Sequence, residues 1–170
     1  MTTRVRALIL VSLAIVGIAV LAITLAPASG ESDNAEVVAL NQRLIAAYNS
    51  KDVNAIMACY SDDPDAIFFE DTIPFQLNKA ALAKLNEMAF KSVSDWRARM
   101  ESVDVLVSGD LAVVHYIVPV TWTDTNGTHS QTSRYTGVDR KQRGKWLVWH
   151  EHFSVPFDPA TGKAVLDAKP

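Results

Sequence analysis

The sequence predicts an α+β domain in which N-terminal helices are wrapped by a curved antiparallel sheet. Apolar residues recur at helical spacing between residues 35 and 93, and after Ser94 they alternate along runs that turn residues divide. The chain has 170 residues, of which 49% are hydrophobic. One domain of ordinary size with its own core is therefore expected.

The first half of the chain carries helix signals with capping residues. Side chains that can accept hydrogen bonds from backbone N–H groups precede two of the apolar patterns, as N-caps do. The predicted elements are a helix over Ala35 to Ser50, a shorter helix capped by Asp52, a strand over Ala66 to Phe69, and a helix from Asn78 to near Val93.

The second half predicts a meander of four long strands joined by tight turns. Asn126-Gly127 is a strong hairpin signal, and the same residues with Thr128 also form a glycosylation sequon. The strand runs are Arg97 to Val107, Leu111 to Thr123, Thr128 to Arg140, and Lys145 to Phe153.

The N-terminal residues have the pattern of an export signal. Two arginines, Arg4 and Arg6, precede an uncharged apolar run over residues 7–25, and Ala26-Pro27-Ala28 has the small residues of a cleavage site. The run is also long enough to be an uncleaved membrane anchor. We therefore expect a secreted or periplasmic protein, with attachment by residues 7–25 as the alternative. Residues 29–34 are expected to be a linker, 35–157 the folded domain and 158–170 a polar tail.

Charge and cysteine content exclude several classes of protein. The formal net charge is −3 and there is no long basic run, so a nucleic-acid partner is not expected. Cys59 is the single cysteine, so the chain cannot form an intramolecular disulfide, and a buried free thiol is expected.

Two stretches resemble the nuclear transport factor 2-like superfamily, also called ketosteroid isomerase-like. They are residues 49–63 and the pattern Arg134-x-Thr136-x-Val138 with Gly144-Lys145-Trp146-x-Val148-x-His150-x-His152-x-Ser154-x-Pro156. The second stretch is similar to the SnoaL-like and calcium/calmodulin-dependent protein kinase II association-domain branch. The resemblance implies a cone-shaped sheet around three helices with a cavity between them. Because this fold hosts many activities, it does not fix the function.

Strand alternation, combined with this resemblance, predicts which side chains face the cavity. Trp146, Val148, His150, His152 and Ser154 share one face of the last strand, and the resemblance turns that face inward. By the same argument Arg134 and Thr136 face inward, while Tyr135 and Tyr48 are expected at a surface. A buried arginine needs an acidic partner, which would be Glu70, Asp71 or an anionic ligand.

The predicted catalytic residues are His150 and Asp71, either of which could act as a general base. The predicted ligand-binding residues are Arg134, His152, Tyr60, Trp122, Trp146 and Glu70. A metal site would need a third ligand beside His150 and His152, from His115 or Glu70, and neither a metal nor another cofactor is expected.

Steroid isomerisation is not expected. In ketosteroid isomerase an Asp acts as the base, and a Tyr and a protonated Asp donate hydrogen bonds to the oxyanion. Alignment keeps an acid at Glu70-Asp71 but places Leu44 and Thr136 where the two donors belong.

Two functions remain open from the sequence. The first is binding of a small anionic or polar aromatic molecule, with cofactor-free isomerase, cyclase or hydrolase chemistry as an extension. The second is a non-catalytic dimerisation or interaction module of the cell envelope. The second function would use Leu147, Trp149 and Phe153, which alternation places on the outer face of the sheet, and a homodimer through that face is expected.

Overall fold

Three helices and six strands are found in the computed structural model, which describes residues 29–167. The helices are α1 (Ser29–Ser50), α2 (Val53–Met57) and α3 (Lys79–Ser92). Both predicted N-caps are confirmed, since the side chain of Asp52 accepts a hydrogen bond from the backbone of Ala55 and that of Asn78 from Ala81. The apolar run over residues 7–25, and with it the predicted signal or anchor, lies outside the described residues.

Helix α1 begins earlier than the sequence predicts, so the expected linker over residues 29–34 is wrong. Asp33 lies in the first turns of the helix and pairs with Lys141 at 2.5 Å, while the indole nitrogen of Trp146 lies 3.4 Å from the same oxygen. These contacts tie the start of α1 to the end of the sheet. Tertiary contacts therefore outweigh the weak helix propensity of Ser29-Gly30.

The sheet is mixed rather than purely antiparallel. Its strands are β1 (Ile67–Phe69), β2 (Asp95–Ala98), β3 (Glu101–Ser108), β4 (Leu111–Asp124), β5 (Gly127–Gln142) and β6 (Lys145–Ser154). β1 pairs with β6 in parallel, β5 and β4 follow, and both β2 and β3 pair with β4. The run predicted as one strand from Arg97 is thus divided at Arg99-Met100, where the chain leaves one part of β4 and joins the next.

The predicted tight turns are confirmed at all three hairpins. The closing pairs are Ser108 with Leu111, Asp124 with Gly127, and Gln142 with Lys145, which leaves two residues in each connection. Arg143 and Gly144 have φ values of 52° and 78°, the left-handed conformation that suits a two-residue hairpin.

The inner face of β5 is the opposite of the predicted one. Tyr135 stacks on Tyr116 of β4 with ring centroids 4.3 Å apart, and only 1% of its surface is exposed. Because side chains alternate along a strand, Arg134 and Thr136 then point outward, where both are exposed. The prediction that Arg134 faces the cavity is therefore wrong, as is the surface position expected for Tyr135.

A β-bulge at Trp149 reverses the alternation of β6. Val138 pairs with His150 but Asp139 pairs with Val148, so one extra residue lies between them. Trp146 and Val148 are buried as predicted, but beyond the bulge it is Glu151 that is buried, and His152 is exposed. The inward orientation predicted for His150 and His152 is therefore wrong, and so is the outward one predicted for Phe153.

The polar tail is partly attached to the domain. Phe157 forms a bridge with Ala164, and the backbone N–H of Thr132 donates to the carbonyl of Leu166 at 2.8 Å. Within residues 29–167, no helix is long and apolar enough to cross a membrane.

Candidate functional site

A cavity of about 290 Å³ lies between the helices and the inner face of the sheet. α1 and α3 supply one wall, the loop after β1 supplies a second, and β2, β4, β5 and β6 supply the rest. The side chains that define its chemistry are Tyr48, Glu70, Asp71, Asn86, Trp96, Tyr116, Trp122, Gln131, Ser133 and Phe153. This lining combines aromatic surface with a few polar groups, as small-molecule sites do.

Asp71 is held in a fixed orientation by two donors from β5. Its Oδ2 accepts a hydrogen bond from Gln131 Nε2 at 2.5 Å and another from Ser133 Oγ at 2.8 Å. Gln131 and Ser133 both project inward because they alternate in register with Tyr135. The carboxylate is therefore fixed against the cavity by its neighbours rather than by a salt bridge.

Glu70 lies on the same wall, and its carboxyl group differs from that of Asp71 in its contacts. Its Oε1 is shielded from solvent and has no hydrogen-bond partner. Burial, reinforced by the negative charge of Asp71, raises the pKa of Glu70 to about 8. Near neutral pH the protonated form of Glu70 is therefore favoured.

Aromatic rings form the apolar part of the wall. Trp96 and Trp122 face each other across β2 and β4 with centroids 6.1 Å apart and planes inclined by 29°. The Tyr48 hydroxyl lies 3.5 Å from Asn86 Nδ2, so Tyr48 lines the cavity rather than an outer surface as the sequence suggested. A flat or apolar ligand would contact these rings along much of its surface.

A second acid with a shielded carboxyl group, Glu151, is fully buried behind the cavity. The Tyr60 hydroxyl lies 2.9 and 2.8 Å from its two carboxyl oxygens. Burial, together with the charge of Glu70, raises the pKa of Glu151 well above its usual range. Tyr60 thus contacts Glu151 and is not part of the cavity lining, where the sequence had placed it.

Asp139 is a third buried acid, on the inner face of β5. Its Oδ2 accepts a hydrogen bond from Asn41 Nδ2 at 2.8 Å, and Asn41 Oδ1 accepts one from the Tyr116 hydroxyl at 3.2 Å. Burial raises the pKa of Asp139 to about 7, against the lowering effect of Asn41. The domain therefore holds three carboxyl groups whose protonated forms are favoured by burial.

The other predicted site residues are dispersed. Arg134 and His152 are exposed on the outer face of the sheet, and His150 Nδ1 lies 3.0 Å from the carbonyl oxygen of Ile67. Trp146 lines a separate groove between α1, α2 and the end of the sheet, together with Cys59, whose thiol is buried as expected.

His115, on the outer face, lies 3.5 Å from Asp104. The suggested metal set of His150, His152, His115 and Glu70 is thus split between the two faces of the sheet. The part of the chain that the structure describes contains no group of three or more His, Cys, Asp or Glu residues placed to hold a metal ion.

Of the predicted residues, Glu70, Asp71 and Trp122 do meet in the cavity. The sequence pattern did not point to five other lining residues, Gln131, Ser133, Trp96, Asn86 and Phe153. The alternation of β5 offered a usable signal for Gln131 and Ser133, because a strand face bearing Tyr135 and Gly137 suits a packed interior better than one bearing Arg134.

A curved sheet that wraps helices, with a cavity between them, defines the class of fold, and comparison with known proteins gives the family. Residues 37–158 match the SnoaL-like domain, and the chain belongs to that family. No match was found among curated proteins.

Solved structures support the same assignment. An NTF2-like protein of unknown function from Pseudomonas putida KT2440 is 30% identical with a TM-score of 0.74, over 82% of this chain and 98% of the other. A ketosteroid isomerase-like protein from Erwinia carotovora atroseptica SCRI1043 is 25% identical with a TM-score of 0.61, over 71% and 93%. An NTF2-like superfamily protein from Salmonella enterica serovar Typhimurium LT2 is 17% identical with a TM-score of 0.70, over 79% and 99%, and shows likeness of fold alone.

Proposed function

We propose that the protein binds a small molecule in this cavity and transfers a proton to or from it, with Asp71 as the general base. The observation that carries the proposal is the pairing of a fixed carboxylate, Asp71, with a buried acid, Glu70, on one aromatic-lined wall. Neighbouring acids that differ in environment are typical of sites that move protons. The similarity to a ketosteroid isomerase-like protein supports the same class of chemistry.

The proposed step needs no cofactor. A C–H bond of the bound molecule breaks, its proton moves to the free oxygen of Asp71, and the electron pair moves onto an electron-withdrawing group of the ligand. Gln131 and Ser133 keep the accepting carboxylate in place, and Glu70 stays protonated beside it. A general base in such a position contributes roughly 10² to 10⁴ in rate.

The structure changes the expected charge of the ligand. An anionic or polar aromatic ligand was predicted because Arg134 was expected inside, and Arg134 lies on the outer face. For the same reason His150 is not proposed as the base.

A carbon acid with a coloured product tests the proposal directly. Nitrobenzisoxazole is a small flat molecule whose ring opens to a phenolate when a base removes its proton. We expect saturable turnover by the protein and a loss of about 10²-fold or more in Asp71→Asn. Glu87→Asn, on the exposed face of α3, is the control substitution and should retain full activity. Equal rates for the native protein and Asp71→Asn would refute the assignment of Asp71.

A role as an interaction module is also favoured, by apolar residues on the outer face of the sheet. Leu106, Leu111 and Val113 are 72%, 47% and 41% exposed and lie on adjacent strands. We propose that this face pairs with a second copy of the chain. Sedimentation should show a dimer that Leu106→Lys converts to monomer, while Met88→Lys, a similarly exposed position on α3, leaves it intact. A monomeric native protein would refute this pairing.

Export remains a separate proposal that rests on residues 1–28. The intact mass of the protein from an exporting host would identify cleavage after Ala28 or an uncut N-terminus. Cytoplasmic recovery of the full-length chain would contradict export.

A further inference from the structure

The charge of the cavity wall selects against anions. Two of its side chains are acids, Glu70 and Asp71, and none of the lining residues within the described part of the chain is Lys, Arg or His. Charges at short range in a poorly solvated site interact far more strongly than in water. A bound anion would therefore face repulsion without any compensating cation.

One oxygen on that wall lacks a partner. Glu70 Oε1 is buried and accepts no hydrogen bond, although its neighbour Asp71 engages two donors. A buried polar atom without a partner costs free energy, and most such atoms in proteins are satisfied. A ligand that brings a donor to the Glu70 carboxyl group would offset this cost.

The rest of the wall suits a cation with an apolar body. Trp96 and Trp122 stack as a pair, and Tyr48, Tyr116 and Phe153 add three more rings to the lining. Aromatic faces attract ammonium groups, most strongly where water is excluded. Acids and aromatic rings around one cavity are the combination that recognises organic amines.

We propose that the cavity binds a small organic ammonium ion, whose N–H group donates to the Glu70 carboxyl group and whose apolar body lies against the tryptophan pair. This inference rests on the proposed function, because it names the ligand class of the same cavity. It replaces the anionic ligand expected from the sequence.

Proton release is a signature of this binding mode. The titratable side chains around Glu70 are Asp71 beside it, Tyr48 on α1, and Tyr60 and Glu151 behind the cavity. None of these is a cation, so a bound ammonium ion would be the first positive charge in the group and would lower the pKa of Glu70 from about 8. Binding near pH 7 should then release up to about one proton per ligand.

Three matched probes test the proposal. Phenethylamine, phenethyl alcohol and hydrocinnamate have the same ring and a similar chain and differ in charge. Titration calorimetry of the full chain should show the amine binding about tenfold or more tightly than the alcohol, with the acid weakest. Near pH 7 the measured enthalpy of amine binding should depend on the ionisation enthalpy of the buffer. Near pH 9 this dependence should disappear, because Glu70 is already ionised.

Glu70→Gln should bring the amine and the alcohol within about twofold of each other and abolish proton release. Glu87→Gln should change neither. The buffer dependence needs no variant, so it tests the proposal even if Glu70→Gln fails to fold. Three results would overturn the proposal. They are binding of the amine no tighter than that of the alcohol or the acid, absence of amine binding, and amine binding without proton release.

The two proposals fail separately. If turnover of nitrobenzisoxazole depends on Asp71 but the amine is not preferred, the catalytic proposal is supported and the ammonium-binding proposal is refuted. Amine binding with proton release, but without turnover, would support the ammonium-binding proposal and refute the catalytic one.

Discussion

Replacing Asp139 by Asn should flatten the pH dependence of stability. Asp139 is fully buried, and its pKa is about 7 in the folded protein against an ordinary value of 3.8. Between these values only the folded state holds the proton, so the native protein becomes less stable as pH rises. Each pKa unit corresponds to about 1.4 kcal/mol, and roughly two units of this window lie above pH 5. We expect Asp139 to account for a loss of about 2.5 kcal/mol between about pH 5 and about pH 8.

Denaturant unfolding followed by tryptophan fluorescence at several pH values measures this loss. Asn keeps an oxygen that can accept from Asn41 Nδ2, so Asp139→Asn removes the titration while keeping the hydrogen bond. Glu70 and Glu151 titrate in both proteins, and because Asp139 adds less to the raised pKa of Glu151 than burial and Glu70 do, most of their contribution cancels in the difference. Asp65→Asn, at an exposed position, should leave the native profile unchanged. Parallel profiles for the native protein and Asp139→Asn would show that Asp139 is ionised in the fold.

Three further substitutions test the packing and the corrected strand faces. Tyr60→Phe removes the hydroxyl next to buried Glu151 and should cost about 1–3 kcal/mol in the free energy of unfolding, measured by denaturant titration. Gly137→Ala places a Cβ 2.6 Å from the Tyr135 hydroxyl and should lower stability by about 1–3 kcal/mol, whereas an unchanged midpoint would mean that the ring moves freely. Arg134→Ala should change stability by no more than about 0.5 kcal/mol and leave ligand binding intact, since a loss of binding would return this side chain to the cavity.

The elements predicted with least ambiguity from sequence were those with local chemical signals. Asp52 and Asn78 are caps because their side chains satisfy nearby backbone N–H groups, and the three hairpins are fixed by residues that tolerate left-handed φ values. These interactions involve residues only a few positions apart. The start of α1 depends instead on Asp33 meeting Lys141, more than 100 positions away, which no local pattern reveals.

The candidate site was only partly predictable, because strand alternation gives two faces without saying which is inside. On β5, Arg134 and Tyr135 lie on opposite faces, so only one of them can point to the interior. The family resemblance led to the face of Arg134, which is the outer one. The stacking of Tyr135 on Tyr116 decides the choice, and burying an unpaired guanidinium would have cost far more than burying a ring. Glu70 and Asp71 do line the cavity, because they follow a short strand whose end the chain order alone identifies, and the roles predicted for them stay predictions.

The bulge at Trp149 explains why alternation predicted the inward side chains wrongly on β6, whereas it holds on β4. β4 pairs with β5 without a shift over its full length, so the alternation of Ala112, Val114, Tyr116 and Val118 holds from end to end. On β6 the extra residue exchanges the two faces after Val148, so that a hydrophilic Glu151 enters the core while His150 and His152 leave it. Burial of Glu151 is tolerable only because the Tyr60 hydroxyl meets its carboxyl group. Without the extra residue both histidines would turn to the interior and that contact would be lost, so this single bulge keeps them out of the cavity lining.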